Sequence, residues 1–465
     1  MIGITGWGCY IPRYRLTGEV LATAWGGSKE GGRSLAHHDE DSITMAAEAA
    51  MECLNGHDPL EVDRLYFGSV SPPYLEHQNA AMVAAVADLR HEIMACDFGG
   101  SIRASTLALR AAYDAVKAES AAEVMVCAAD MRLAPPGDPL ERSLGDAASA
   151  LLIGRDKPIA VFKQFMATSH DFLDYWRTAA DQFLQVGDAK FITDKGIMVQ
   201  LPEIVKDMLE TTDLAKEEIA SVVYYSPNMG ARKGLDKKLG FPKEAYPQDN
   251  PQASIGNAGN AQVFLGLLAA LGKSKPGDRI LVINQGSGAD ACLLEVTDRI
   301  AEFKTSLADQ ISMGRPISSY AKYLRFRKIL PQEDLNVWAS APVLWREEKP
   351  NVRRLAKKCK ACGAVQFPLR YRCWQCGGVE MGTHKLSRRG EVFTFTLDTL
   401  PPNPDPPTPM VSVDLEGGGR IYGQMTDVDP KKVQIGMKVE MVFRKLHEGG
   451  GFFNYFWKFR PVEKL

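Results

Sequence analysis

The chain has 465 residues, 45% of them apolar and 24% charged, with 55 Lys and Arg against 57 Asp and Glu. This length suits two or three domains with a sizeable core. The net charge of −2 leaves no overall attraction to nucleic acid or to an anionic membrane, and neither partner is expected. No segment approaches the roughly 18 apolar residues of a membrane-spanning helix. The opening MIGITGWGCYIP lacks the charged-then-apolar layout of a secretory leader, so a reducing, cytoplasmic location is the expectation. Cys9, Cys53, Cys96, Cys127 and Cys292 lie scattered in apolar segments and read as packed free thiols.

An internal repeat organises the first 300 residues. Residues 42–54 are helical in pattern and 62–71, VDRLYFGSVS, read as a buried strand; residues 202–208 and 219–227, IASVVYYSP, repeat the pair. Next come GGSIRASTLALRAAYDAV from Gly99 and GNAGNAQVFLGLLAAL from Gly256, each a glycine-rich turn feeding a small-residue helix. The strands EVMVCAAD (123–130) and RILVINQG (279–286) follow, then GDAASALLIG from Gly145 and GSGADACLLEV from Gly286. Four paired signals in one order predict a duplicated α/β unit, residues 1–155 and 156–300, with the small-residue helices packed centrally between two sheets.

Residues 301–350 read as a helical connector, with SYAKYLRFRKIL (319–330) amphipathic and Pro342 and Pro350 near its end. The composition then turns basic: residues 345–389 hold twelve Lys or Arg against three Glu. Cys359-x-x-Cys362 and Cys373-x-x-Cys376 stand ten residues apart within this segment. Four thiolates complete a tetrahedral shell with no open position, so a structural Zn²⁺ in a ribbon spanning 351–388 is expected. Five short strands follow, EVFTFTL, MVSVDL, RIYGQM, KVEMVFR and FFNYFWKF, and suit an OB-type barrel over 389–465. Ribbons and OB barrels often bind nucleic acid, and Trp374, Phe393, Tyr422 and Tyr455 have rings that stack on bases. Against that, the basic excess is confined to one segment and suffices for a single phosphorylated cofactor such as coenzyme A.

The motifs GSVSPPY (68–74), IRASTLAL (102–109), YSPN (225–228), IGN (255–257) and GSGA (286–289) resemble the thiolase superfamily, in particular 3-hydroxy-3-methylglutaryl-CoA synthases of the archaeal type. The four cysteines, FPLRYRC (367–373), SRRGEVFTFT (387–396) and VQIGMKV (433–439) resemble the zinc-ribbon/OB domain that accompanies thiolase-like proteins. The resemblance implies a layered αβαβα domain followed by ribbon and barrel, an acyl-CoA substrate, and a homodimer or larger homo-oligomer.

The chain departs from the synthase pattern at three places. Val70 stands where the family carries its general-base glutamate, Ile102 where it carries the nucleophilic cysteine, and Tyr225 where it carries a histidine. Residues 171–383 contain no histidine at all, so none from the second half can substitute. Cys96 lies about six positions before the expected nucleophile and reads as strand-end packing.

By resemblance, the apparatus for holding a thioester survives. It comprises Asn257, the loop Gly286-Ser287-Gly288, and the N–H groups of a helix start at Ser101–Ala104, with Ser101 and Ile102 at the substrate. Together these suit the stabilisation of an enolate oxygen. Arg232 and Lys233, shortly after YSPN, are candidates for the CoA phosphates. Tyrosine at position 225 is similar to the lipid-transfer-type aldolases of steroid side-chain degradation, which lack the cysteine and work with the same ribbon/OB domain. Without a thiolate there is no acyl-enzyme, whereas aldol chemistry needs only a proton carrier and donors for the enolate. The primary reading is therefore an aldolase or retro-aldolase on a β-hydroxyacyl-CoA, with Tyr225 and Asn257 catalytic and the tyrosine's pKa, ordinarily ~10, lowered by nearby positive charge. The alternatives are a synthase-like or thiolase-like acyltransferase with another nucleophile, Cys96 or Ser101, and a non-catalytic acyl-CoA-binding partner subunit.

Overall fold

The computed structural model of the chain describes residues 1–462 except 228, 248, 332–339 and 401–402. Its described residues fall into two units: 1–36, 41–84 and 89–320 in the first, and 37–40, 85–88 and 321–462 in the second.

The first unit is built on strands β1 (Gly3–Tyr10), β2 (Arg64–Gly68), β3 (Met94–Phe98), β4 (Val124–Asp130) and β5 (Ala147–Gly154). The second half of the repeat supplies β6 (Ala160–Ser169), β7 (Ser221–Tyr224), β8 (Arg279–Gln285) and β9 (Gly288–Val296). Their order is β7-β8-β9-β6-β1-β5-β4-β2-β3. The run β2-β4-β5-β1 of the first half is matched by β7-β8-β9-β6 in the second, each ending on the first strand of its half. Within these matched runs the first pair, β2–β4 and β7–β8, is parallel and the remaining neighbours are antiparallel. The duplication is thus real at the level of topology, and only the first half adds a further strand, β3, at the edge. The two expected sheets are one: β1 and β6 pair antiparallel at Gly3–Val161 and Ile4–Ala160, which joins the halves.

Every residue of β4 and β5 is buried. That explains why these segments read as unbroken apolar runs rather than alternating ones. Helix α1 (Ser42–Cys53) covers β1, β4 and β5. Its alanines let it lie close, and Gly8 is required beneath it, because a Cβ there would stand 2.2 Å from Ala49 O. Helices α2 (Ala104–Lys117) and α4 (Gln262–Leu271) share one apolar core with strands of both halves, as the small-residue pattern predicted. Helix α3 (Met198–Thr212) covers β6, β8 and β9 over a separate core. Each half of this one continuous sheet forms a β layer, with α1 outside the first, α2 and α4 between the two and α3 outside the second, which gives the layered αβαβα arrangement.

The second unit holds a three-stranded sheet, β10 (Leu355–Cys359), β11 (Val365–Gln366) and β12 (Met381–Lys385), in the order β11-β10-β12. Five longer strands follow: β13 (Arg389–Asp398), β14 (Thr408–Leu415), β15 (Arg420–Gln424), β16 (Lys438–Gly449) and β17 (Phe452–Pro461), in the order β15-β14-β13-β16-β17. A bridge between Met425 and Phe459 brings the end of β15 back onto β17 and closes the barrel. These are the five strands predicted from sequence, in OB order. Trp374, Phe393 and Tyr422 are exposed, whereas Tyr455 is buried in the barrel core. In the connector, Tyr320–Phe326 is helical with Tyr323 and Phe326 buried. Among the described residues no helix is long and apolar enough to cross a membrane.

Segment 37–40 brings charge into the second unit. Arg444, fully buried, meets Glu40 at 2.9 Å, Asp427 at 3.0 Å and Asp39 at 3.6 Å. Lys458 meets Asp39 at 2.9 Å, and His37 Nδ1 lies 2.8 Å from the same carboxylate.

Candidate active site

The carboxyl ends of the parallel strands β2, β3, β4, β7 and β8 converge on one cavity of about 620 Å³ in the first unit. Open α/β sheets place ligand sites at this end because loops and unpaired backbone gather there. The cavity is lined by Val70 after β2, Ser101 and Ile102 after β3, Arg132 after β4, Tyr225 after β7, and Gly286 and Ser287 after β8. All three positions at which the sequence departs from the synthase pattern, Val70, Ile102 and Tyr225, therefore line one cavity.

Asp130, at the end of β4, holds two of these loops. Its Oδ1 accepts from Val70 N at 2.8 Å, Ser71 N at 3.1 Å, and the hydroxyls of Ser69 and Ser71. Its Oδ2 accepts from Asn260 N at 2.7 Å and Asn260 Nδ2 at 3.0 Å. Arg103 locks the start of α2 to β9 through a 2.6 Å ion pair with Asp290 and donates to Ser287 O at 3.0 Å. Gly288 has φ +117°, and a Cβ on it would stand 2.4 Å from the Arg103 guanidinium, so this loop position needs glycine.

Tyr225 continues β7 through its N–H, which donates to Ile283 O at 3.1 Å. Its phenolic oxygen accepts from Asn257 Nδ2 at 3.0 Å and from Arg132. Arg132 also donates to Asn257 Oδ1 at 2.6 Å. Asn257 is not among the residues that line the cavity, and its side-chain amide meets the lining at Tyr225. The expectation of a lowered tyrosine pKa is corrected: burial raises it above the ordinary 10, although Arg132 and the bond from Asn257 oppose this. Tyr225 is thus a group that holds its proton at neutral pH and can give it up.

Two of the helix-start donors expected at Ser101–Ala104, those of Arg103 and Ala104, are engaged within the turn. Ala104 N donates to Ser101 O at 3.0 Å, Arg103 N to Ser101 Oγ at 3.2 Å, and Ser105 N to Asn260 Oδ1 at 3.0 Å. These N–H groups serve the turn and a loop 155 residues away. Ser101 Oγ itself donates to Gly286 O at 3.0 Å. Cys96 lies on β3 outside the cavity lining, and no cysteine lines the cavity among the described residues. Lys233 is exposed and Arg232 stacks 4.8 Å from the Tyr224 ring; neither lines the cavity.

In the second unit, the Sγ atoms of Cys359 and Cys376 lie 3.6 Å apart, as do those of Cys362 and Cys373, and all four fall within 4.8 Å of one another. A tetrahedral site with Zn–S bonds of about 2.3 Å separates its sulfurs by about 3.8 Å, so the four thiolates fit that metal.

Sequence reasoning missed Arg132, Asp130, Asp174 and the Arg103–Asp290 pair. Only the repeat, which ends a strand at Asp130, signalled any of them.

A duplicated αβ half with matched strand order and a cavity at the strand ends defines a thiolase-like fold, here followed by a small OB barrel. A family model described as the ChsH2 C-terminal OB-fold domain matches residues 383–444. The hydroxymethylglutaryl-CoA synthase of Methanopyrus kandleri is 31% identical over 343 residues, 71% of this chain and 98% of that protein. That of Aeropyrum pernix is 33% identical over 332 residues, 69% of this chain and 90% of that protein. A crystal structure of HMG-CoA synthase complexed with CoA has a TM-score of 0.64 at 22% identity, covering 71% of this chain and 91% of that one. The chain belongs to the hydroxymethylglutaryl-CoA synthase family.

Proposed function

We propose that the protein forms or breaks a carbon–carbon bond beside the carbonyl of an acyl-CoA thioester, through an enolate and without a covalent acyl-enzyme. One observation carries this reading. A buried Tyr225, bonded to Asn257 and Arg132, lines the cavity, while Ile102 fills the nucleophile's place. Arg132 supplies fixed positive charge where the enolate oxygen develops its negative charge. Tyr225 gives its proton to the alkoxide formed on the acceptor carbonyl. Kinship supports the condensing, synthase-like direction more than cleavage by an aldolase. Arg232 and Lys233 remain the proposed contacts for the CoA phosphates.

A second reading, synthase-like acyl transfer through a covalent intermediate, is favoured by the identity to named synthases over 343 residues. Ser101 is its candidate nucleophile, because it lines the cavity and Cys96 does not. The test is incubation with acetyl-CoA and acetoacetyl-CoA, and separately with 3-hydroxy-3-methylglutaryl-CoA. Products are read by mass spectrometry and the protein is weighed under denaturing conditions. Product without an adduct is expected. An adduct supports acyl transfer, and tight binding with no product supports the non-catalytic partner.

The four-cysteine site holds a structural Zn²⁺ in this proposal and takes no part in the reaction. The chain pairs through β3, the sheet's edge strand, whose Met94 is 55% exposed. Light scattering should report a dimer at micromolar concentration.

A further inference from the structure

Two carboxylates line the cavity, Asp97 and Asp174. Asp97 is saturated: it accepts from Asn79 N at 2.8 Å, Asn79 Nδ2 at 3.0 Å and Ala80 N at 2.7 Å. Asp174 is not. Its Oδ1 accepts from Tyr175 N at 2.6 Å, and its Oδ2 has only a long contact of 3.5 Å with Gln285 Nε2. Among the described residues no cation pairs with it, yet it is 7% exposed. The neighbouring buried carboxylates are held differently: Asp290 has Arg103 and Thr106, and Asp130 has donors on both oxygens. A buried carboxylate without a cation is costly, and such groups concentrate at sites of proton transfer.

The backbone beneath Asp174 is fixed. Its N–H donates to Phe172 O at 3.2 Å, Gly187 N donates to its carbonyl at 2.9 Å, and the next residue, Tyr175, pairs with Val186 in a short antiparallel ladder. Asp174 therefore stands on a firm support in the lining of the cavity, which Tyr225 and Arg132 also line.

We propose that Asp174 is the base that takes the α-proton from the acyl-CoA thioester, replacing from another loop the glutamate that Val70 has displaced. The assignment rests on the enolate chemistry proposed above. The Cα–H bond breaks, its proton goes to the Asp174 carboxylate, and its electron pair becomes the enolate. The enolate carbon attacks an acceptor carbonyl, one carbon–carbon bond forms, and the acceptor oxygen takes the phenolic proton of Tyr225. The proton on Asp174 then returns to Tyr225, both groups are restored, and nothing is oxidised or reduced. Burial raises the pKa of Asp174 against the opposing bonds from Tyr175 N, its own backbone N–H and Gln285, which makes it a stronger base than an exposed aspartate.

The test is exchange of the acetyl-CoA methyl protons in D₂O by the full chain, read by mass spectrometry. The wild type should exchange. Asp174→Asn should slow exchange by about 10²–10⁴ while binding acetyl-CoA within a few-fold of wild type. Tyr225→Phe should keep exchanging, because it acts only after the enolate forms. Asp174→Glu should retain exchange above the Asn variant, with its acid limb at a shifted pH. The titratable groups that interact with Asp174 are Tyr175 and Tyr225, and both titrate above their ordinary 10, well away from that limb. A folded Asp174→Asn that exchanges at the wild-type rate overturns the assignment and leaves the carbon–carbon chemistry standing. If the Asn variant does not fold, a folded Asp174→Glu with no exchange overturns it instead. A wild type that binds acetyl-CoA, exchanges nothing and forms no product overturns both.

Discussion

The Tyr225 hydroxyl and the Asn257 side-chain amide, 32 residues apart, meet at 3.0 Å at the cavity wall. Tyr225 lines the cavity and Asn257 positions it. Tyr225→Phe keeps the ring and its packing, so the fold should survive while turnover falls by about 10²–10⁴ and thioester binding stays near wild type. Asn257→Ala removes a bond that favours the phenolate. Tyr225 should then lose its proton at higher pH, and the basic limb of the pH–rate profile should move upward, which a purely structural role would not cause. Wild-type turnover by Tyr225→Phe would make the tyrosine a packing residue.

The four cysteines predict one tightly held Zn²⁺ per chain. Metal binding at such a site is folding free energy, so Cys373→Ser should destabilise the second unit by several kcal/mol. Metal analysis and thermal denaturation of reduced protein check this, and folded protein without zinc would refute it.

The ion pair between Arg103 and Asp290 is buried on both sides. Asp290→Asn leaves the guanidinium without its counter-charge and should cost about 3–5 kcal/mol in chemical denaturation. Because Arg103 also donates to Ser287 O, the loop beside the cavity should loosen, with weaker thioester binding as the second readout.

In the second unit, burial alone pulls His37 down. The Asp39 charge, hydrogen bonds to Asp39 and Asp405, and the Asp427 charge overcome this and raise its pKa from 6.5 to about 9. The charged groups around it are Asp39, Asp405, Asp427, Lys458, Arg444 and Lys322. Since the folded pKa lies above the unfolded one, the stabilisation is full below about pH 6.5 and is lost as pH rises through about 9. Thermal melts of the wild type should therefore decline over that window, and His37→Gln should start lower and flatten the decline.

By itself, the sequence determined what rests on local pattern. The paired turn–helix and strand signals disclosed the duplication because strand and helix periods are properties of neighbouring residues. The ribbon cysteines were legible because one short segment supplies all four ligands, and the barrel strands because Gly, Pro and Asp bound each one. The absent cysteine, glutamate and histidine were likewise visible by position. What joins distant segments was decided only by tertiary structure. The β1–β6 pairing that merges the two sheets depends on strand register, which no periodicity reveals. Ser105 N, just past the expected helix-start donors, is held by Asn260 from 155 residues away, which only the fold discloses. Arg132 reads as an ordinary charge until β4 and β7 set it beside Tyr225. Asp174 reads as one acidic loop residue among several, and only burial without a cation distinguishes it. Segments 37–40 and 85–88 join the second unit although they lie deep in the first unit's sequence. Hydrogen bonding and desolvation depend on which groups become neighbours in space, and for these residues the neighbours are more than thirty positions away.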